Sequence, residues 1–430
     1  MRKHWYSAVL STAFACLLLA GPTMTGTAQA EPVKITMWDI PESEPYTAWW
    51  RKHVEEFNKA HPDIEVTLEV FETEAYRSKI ASALTAGTAA DIFYLAAGPQ
   101  GFQALHDGQA RSLDGILDAS KFTPSSMTAC SSEGKLACMP LYVAPNLIYY
   151  NKTMFAKAGV DVSKWKNPEQ PTWAEFTAAC DALKAAHIVP IALGNADGWP
   201  GTMYLWAFQN RFGGIKELTA ALHGDGGTTF SSASSFQKAA EKVAELGKSD
   251  YLPLGYNGIG GGQKYTLFTA ATGAMIFQGP WMLGYIATDA PKDFQYGFFN
   301  FPTFEDGAAD SQQDVVGGFD AMFVSANTKH PEAVAAFLNS FAEKDAAVSF
   351  MMETQNISVI KDALAATSSS NDIVAQLARA VAKTPAITPW WDNFMPPTVV
   401  DESTRLIQGL FDGSVSPKDY LTKIDKAAGR

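Results

Sequence analysis

The sequence of 430 residues is 47% hydrophobic and 18% charged, with a mean hydropathy of −0.06. That balance excludes a disordered or fibrous chain and leaves room for two or three globular domains. The formal charge of −12 argues against nucleic acid as a partner, because its binders cluster Lys and Arg.

The first 30 residues read as a secretory signal peptide. Arg2 and Lys3 precede an apolar run around Ala13 to Ala20, and Ala28-Gln29-Ala30 is a small-x-small cleavage site. The run is too short to span a bilayer. Cys16 lies inside it, after a poor lipobox, so no lipid anchor is expected. Cleavage after Ala30 takes the basic residues from 33 to 31 against 45 acidic ones, a charge of −14. No later segment is apolar enough to span a membrane, which predicts an exported protein of a Gram-negative periplasm.

From Val33, VKITMWDI is a short apolar strand followed by a loop from Pro41 to Pro45. Trp50, Val54 and Phe57 then fall at helical spacing, and Pro62 stops that helix. IEVTLEVF from Ile64 alternates strictly, as a strand with one buried face does. A helix from Thr73 to Gly87 buries Tyr76, Ile80 and Leu84, and DIFYLAA from Asp91 is the next strand. Strand, helix, strand, helix, strand at this spacing defines a parallel open α/β sheet. In such a sheet ligands bind beyond the carboxyl ends of the strands. That singles out the loops 39–46, 71–74 and 96–101, with Asp39 and Glu42 as candidate ligand carboxylates. Asp39 has the alternative role of capping the turn that follows it.

Cys130 and Cys138 bracket a hairpin-like SSEGKLA loop. Export favours a local disulfide between them over two free thiols. Cys180, in an amphipathic helix, reads as a small core residue, and no cysteine cluster has zinc-site spacing. Thr172 and Glu175 form a capping box. VPIALGNADGWP reads as a strand leading into a polar and aromatic loop, in which Asn195, Asp197 and Trp199 are candidate contacts. Asp197 is equally a turn former, and Trp199 equally a cover over the core. VVGGFDAMFVSANT is a strand, and the tail from Asn371 is helical apart from TPWWDNFMPP.

Several stretches together resemble one family. They are ITMWD, VEEFNKAHPDIEV, ADIFYLAAG, MPLYVAPNLIYYNKTMFAKAGV, PTWAEFTAACDALK, GAMIFQGPW and VGGFDAMFVSANTKHPEAVAAFLNSF. The chain is similar to family 1 extracellular solute-binding proteins of carbohydrate ABC transporters, the group that includes maltose-binding protein. Tyr150-Asn151-Lys152 before Phe155, and Gly279-Pro280-Trp281 in the right order, carry most of the resemblance. It implies an α/β, type II-like two-lobe fold with a hinge and an interlobe cleft. Lobe one is expected at Glu31–Leu141 plus Phe299–Gln355, and lobe two at Tyr142–Phe298 plus Asn356–Arg430. It also implies a monomer that hands a mono- or oligosaccharide to a membrane permease, with no cofactor and no catalysis. Asn151-Lys152-Thr153 is then a helix start and not a glycosylation site.

A sugar pocket offers aromatic faces to C–H groups and carboxylates or amides to hydroxyls. The resemblance puts Trp281 against a sugar ring, and the alternative is packing at a helix start. Gly317-Gly318 would let a ligand approach the backbone, with Asp320 reaching hydroxyls. The alternative is a bulge with Asp320 in solvent. Trp390 and Trp391 are adjacent and cannot point the same way. One is expected to anchor the segment and the other to face the ligand, with Asp392 beside it. Ala144 and Ala97-Gly98 stand where maltose-binding protein carries charged cleft residues, so maltose itself is not implied. Two other readings remain. The same fold can take a polyamine or organic acid; a sugar acid or sulfonated sugar would want a cation such as Lys264 or Arg211, each of which also reads as an ordinary surface charge. A secreted glycoside hydrolase would need two carboxylates across a scissile bond.

Overall fold

The structure, a computed structural model, describes residues 31–430; the expected signal peptide lies outside them. Two sheets organise the chain. In the larger, seven-stranded sheet, Val33–Asp39 lies between Ile64–Val70 and Ile92–Ala96, all three parallel. Helices Glu44–Ala60 and Thr73–Ala86 are the crossovers. Ser43 starts the first by accepting the Tyr46 N–H, with Pro45 in the first turn where its missing N–H costs nothing. Gly87, at φ 67°, ends the second. Asp39 therefore stands at the carboxyl end of the central parallel strand.

Val315–Val324 runs antiparallel to both Ile92–Ala96 and Met139–Pro145, and Ile357–Ser358 edges the sheet beyond Met139–Pro145. Ile387–Pro389 pairs in parallel with the start of Val315–Val324. The smaller sheet has four strands in the order Tyr296–Phe299, Leu147–Asn151, Gly273–Gln278, Val189–Ile191. Helices Trp199–His223, Ser234–Gly247, Pro397–Asp412 and Pro417–Ala427 pack together on it. Asn151 caps the helix Lys152–Lys157, accepting the Met154 N–H at 3.0 Å, and the capping box of Thr172 and Glu175 is formed.

The chain crosses between the sheets at Asn146, through 300–314, and at Trp390. The crossings are bonded to one another. Asn146 donates to the Val316 carbonyl at 2.8 Å, Trp390 to Gly317 at 3.1 Å, and Val315 to Ala386 at 3.0 Å. Arg211, buried in the long helix, pins the middle crossing. Its guanidinium donates to the carbonyls of Phe301, Pro302, Ser311 and Asp314 and to the amide oxygen of Asn300. Arg211 is thus a structural cation with no donor left for a ligand.

The sheets divide the chain differently from the expected lobe ranges. Ile357–Ser358 bonds to Val143 and Tyr142 in the larger sheet, and the helices Lys361–Thr367 and Ile373–Ala382 pack on the same side. Residues 356–389 therefore belong with the first strands, as do Tyr142–Pro145, whereas Phe299 closes the smaller sheet. A two-residue strand has no alternation to read, and Met139–Pro145 is buried at every position, so neither break is marked by pattern.

The loop expected around Trp199 is also different. Trp199 opens a 25-residue helix, kinked at Gly214, whose residues from Pro200 to Arg211 are all buried. A helix apolar all round shows no face. Cys130 and Cys138 are bonded, with Cα atoms 5.2 Å apart, across a hairpin whose tip residues Glu133 and Gly134 have φ of 50° and 77°. Cys180 is free and buried.

Replacing Arg211 with Met should leave those carbonyls unsatisfied at about 1–3 kcal/mol each when buried. Chemical denaturation is expected to show a loss of at least about 3 kcal/mol. A change under 1 kcal/mol would mean the crossing is held by other contacts.

Candidate functional site

The carboxyl ends of the parallel strands meet the strand Val315–Val324 around Asp320. Asp320 sits at a register shift, with Ala96 opposite on one neighbouring strand and Tyr142 on the other. The bulge turns its carboxylate inward, leaving it 2% exposed, so the solvent-facing alternative does not hold. The Tyr94 hydroxyl donates to Asp320. The Tyr46 hydroxyl donates to Asp39 at 2.9 Å, and the Ile40 N–H donates to the other oxygen at 2.8 Å. Glu42, in the loop after the strand, is half-buried, and its Oε2 has no hydrogen-bond partner. Tyr142 lies beside Tyr46 with ring centroids 6.4 Å apart, and its buried hydroxyl is close enough to Glu42 and Asp320 to lower the pKa of both.

These acids are served by phenols and by no buried cation. Burial pushes Asp39 up to about 8, against the two hydrogen bonds it accepts and with repulsion from Asp320 added. Burial likewise raises Glu42 well above the carboxylate range, with repulsion from Asp320 and Asp39 as further causes. Asp320 is pushed up to about 6 by burial, despite its tyrosine partners, and the charge of Asp392 adds to the rise. Asp392 is raised by burial and relieved in part by Arg77, an exposed side chain 3.9 Å from Glu74. The Asp392 Oδ1 has no hydrogen-bond partner.

Beside the carboxylates stand the indoles. Trp281 opens the helix Trp281–Asp289 after Gly279-Pro280 and donates to Gln278 at 3.2 Å. Its ring centroid is 6.3 Å from Trp199 and 6.0 Å from Trp390, edge-on to both. Trp390 lies over the strand at Gly318, where a Cβ would come within 2.6 Å of the indole, and its N–H is unpartnered. Gly318 thus makes room for the indole, which takes the place expected for a ligand at that backbone. Trp391 points the other way, buried 5.1 Å from Phe236 in the smaller sheet's helices. Tyr265 and Tyr285 stack at 4.0 Å; burial raises both, and the nearby charge of Glu42 adds to the rise.

Two expected contacts are committed elsewhere. Asn195 accepts the Gly201 N–H at 2.9 Å and donates to Asn257 at 2.9 Å, fixing the entry to the long helix. Asp197 takes the Lys264 ammonium at 2.6 Å and the Gly261 N–H at 3.1 Å. Lys264 in turn lies 4.5 Å from the Trp199 ring, so this ion pair braces the indole. Asp39, Glu42, Asp320 and Asp392 do come together, with Trp390 over the neighbouring Gly318 and Trp281 edge-on to it. The structure adds Tyr46, Tyr94, Tyr142, Tyr265 and Tyr285. Tyr94 and Tyr142 occupy apolar strands and read as core; their cross-strand relation to Asp320 was the missing signal. Among the described residues no group of three or more His, Cys, Asp or Glu side chains is placed to hold a metal ion, and no helix is long and apolar enough to cross a membrane.

Two α/β units with a carboxylate-and-indole cleft between them define a two-lobe solute-binding fold. The family of bacterial extracellular solute-binding proteins matches residues 41–348, and the chain belongs to that family. It is 26% identical to the sn-glycerol-3-phosphate-binding periplasmic protein of Shigella flexneri, over 81% of this chain and 79% of that one. A solved structure from work on xylan utilization by the thermophilic bacterium Caldanaerobius polysaccharolyticus aligns with a TM-score of 0.82 and 25% identity, covering 92% of this chain and 99% of that one. A chitin oligosaccharide binding protein aligns with a TM-score of 0.83 and 23% identity, covering 93% and 98%.

The lobes touch at two glycines. A Cβ at Gly284 would come within 2.6 Å of the Ser43 Cβ, and one at Gly98 within 2.7 Å of the Asn393 carbonyl oxygen. Gly284→Val is therefore expected to prop the lobes apart, at about 1–3 kcal/mol for overpacking. Small-angle X-ray scattering should show a larger radius of gyration than the parent. An unchanged radius would mean the contact does not hold the lobes together.

Asp39 keeps its proton to about pH 8 when folded and loses it near 3.8 when exposed. The folded chain thus binds more protons between those values, and stability falls as pH rises across them. Asp39→Asn should flatten the slope of urea-derived stability between pH 5 and 8. A slope unchanged from the parent would mean Asp39 is ionised throughout.

Proposed function

We propose that this protein is an exported receptor that closes its two lobes on a saccharide and presents it to an ABC permease. One observation carries the reading: four carboxylates, Asp39 and Asp320 buried and Glu42 and Asp392 half-buried, gather beside the paired indoles of Trp281 and Trp390. Indole faces suit the C–H surface of a sugar ring, and ionised or neutral carboxyls bond its hydroxyls. The names of the structural relatives, one a chitin oligosaccharide binding protein, support it. The acidic cleft speaks against the anionic ligand named for the Shigella relative, because Lys264 and Arg211 are both engaged.

In this reading the lobes are residues 31–145 with 315–389, and 147–299 with 391–430. The receptor works as a monomer in the periplasm, after loss of its leader at Ala30. Ligand favours the closed form only by binding it more tightly than the open one. The protein holds its ligand without turning it over, so an oligosaccharide incubated with it should be recovered intact.

Intrinsic tryptophan fluorescence, titrated with a panel of mono- and oligosaccharides, is the test. A saturable change with one sugar class at micromolar concentration is expected. Trp281→Ala and Trp390→Ala should each weaken that binding by about 30-fold, the scale of a buried aromatic anchor at about 2 kcal/mol. Trp391→Ala should act on stability instead. Silence with every sugar, together with a response to organic acids, would overturn the ligand class.

A further inference from the structure

We propose that Asn146 and Asn356 read the sugar, each bonding two adjacent hydroxyls of one neutral ring. The inference rests on the saccharide reading above and narrows it. Both side chains are 1% exposed, and neither the Oδ1 nor the Nδ2 of either has a hydrogen-bond partner. Among the described residues they are the only buried carboxamides with both polar atoms free. The sheet register puts them on the face that carries the acids. Residues two apart share a strand face. Asn146 continues the strand of Tyr142 and Ala144, its N–H bonded to the Val316 carbonyl one pair on from Pro145 and Gly317. Tyr142 marks that face, because it stands opposite Asp320 and feels the charges of Asp320 and Glu42. Val143 pairs with Ile357, so Asn356 falls opposite Ala144. On the other side of Ala144 is Gly318, beneath the Trp390 ring. Asn146 and Asn356 are thus diagonal neighbours, about 7–8 Å apart, near enough for one ring to reach both. Leu147 pairs with Gln278, which brings Asn146 up to Gly279, where the Trp281 ring lies.

Amide groups taken out of water without a partner are costly, and native folds leave few of them. Two such side chains on one face, at the foot of two indoles, therefore point to a partner from outside the chain. A carboxamide donates and accepts at once, and so does a pair of neighbouring hydroxyls. One hydroxyl donates to Oδ1 while its neighbour accepts from Nδ2, and both amide atoms are satisfied. An ammonium only donates and would leave Nδ2 unpaired. A carboxylate or phosphate only accepts, would leave Oδ1 unpaired, and is repelled by the acids nearby. The other free atoms of the cleft are mixed in the same way. The Trp390 Nε1 and Asn393 Nδ2 are donors, and the Glu42 Oε2 and Asp392 Oδ1 are oxygens. A neutral ring with unmodified hydroxyls meets both kinds and presents its C–H faces to the indoles.

The test is calorimetric titration of the mature protein with glucose, galactose, mannose, xylose and their disaccharides, with glucosamine and glucuronic acid as charged counterparts. The tightest binder is then compared with its monodeoxy forms. A neutral sugar is expected to bind best, and loss of either of two adjacent hydroxyls should weaken it by about 10-fold or more. Asn146→Leu and, independently, Asn356→Leu should each weaken the intact sugar by about 10-fold or more and make the variant indifferent to one adjacent pair of deoxy forms. The urea midpoints of both variants should equal or exceed the parent's, because each removes an unpaired buried amide; an asparagine with a structural role would lower them. Tighter binding of glucosamine or glucuronic acid, deoxy forms that all bind like the parent sugar, a smaller loss in either variant, or a lowered midpoint overturns the inference and leaves the saccharide reading standing. No binding by any of these sugars overturns both.

Discussion

Three connections carry the chain between the lobes, and the hydrogen bonds among the strands they join are the constraint on which the rest depends. Gly317 lies between Pro145 and Pro389 on its two neighbours, and a Cβ there would come within 2.7 Å of the Ala144 carbonyl. The crossings therefore pack more closely than side chains allow. Because Asn146, Val316, Gly317 and Trp390 are joined through the backbone, the lobes cannot shift independently at any one strand. Arg211 secures the remaining, longest crossing through four carbonyls. The connection is fixed and the freedom left to the lobes is rotation about it. What they close upon is then set by the residues that flank the crossings, and Asp320 and Trp390 are each within three positions of Gly317 or Pro389.

The acids in the cleft oppose stability of the folded chain. Loss of water raises Asp39, Glu42 and Asp320, and repulsion adds to it, from Asp320 at Asp39 and Glu42 and from Asp392 at Asp320. Tyr46 and Tyr94 compensate with hydroxyl donors, which lower a carboxyl's pKa without neutralising its charge. Such an arrangement is retained where a ligand completes it. A ligand that supplies donors to the free oxygens removes a cost already present in the unliganded cleft, and that relief is differential between open and closed forms. Conformational coupling of this kind needs no strained backbone, only polar groups that the closed lobes bury and the protein leaves unpaired.

Much of the first lobe was legible in the sequence. The strict alternation at Ile64–Val70, the Gly87 stop and the apolar strand before Asp39 each follow from a local rule, and together they place Asp39 at the strand end where the cleft opens. The opposed directions of Trp390 and Trp391 were legible for the same reason, since neighbours in sequence cannot share a face. The rest failed where the pattern is flat. Residues 200–211 are buried on every side, so the long helix had no period to show. Tyr94 and Tyr142 look like core in apolar strands, and only the pairing with Asp320 reveals what their hydroxyls do. Asn195 and Asp197 carry the chemistry of ligand contacts but spend it on a helix entry and on Lys264, a choice made by tertiary neighbours that composition cannot rank.

Trp390 joins these two themes. It stands at the third crossing, its backbone N–H is bonded to Gly317, and its ring covers Gly318 beside Asp320. A side chain in that position moves with the hinge and touches the binding surface at once. The neighbouring Trp391 locks the same segment into the second lobe through Phe236, so rotation of that lobe must carry the Trp390 indole with it. The bare backbone at Gly318 is what lets a ring as large as indole pass so close to the strand. Any bulkier residue there would lift the ring away from Asp320 and separate the aromatic face from the carboxylates it is paired with. The glycines at 317 and 318 thus serve different ends: one brings the crossings together, and the other brings the aromatic platform down onto the acids.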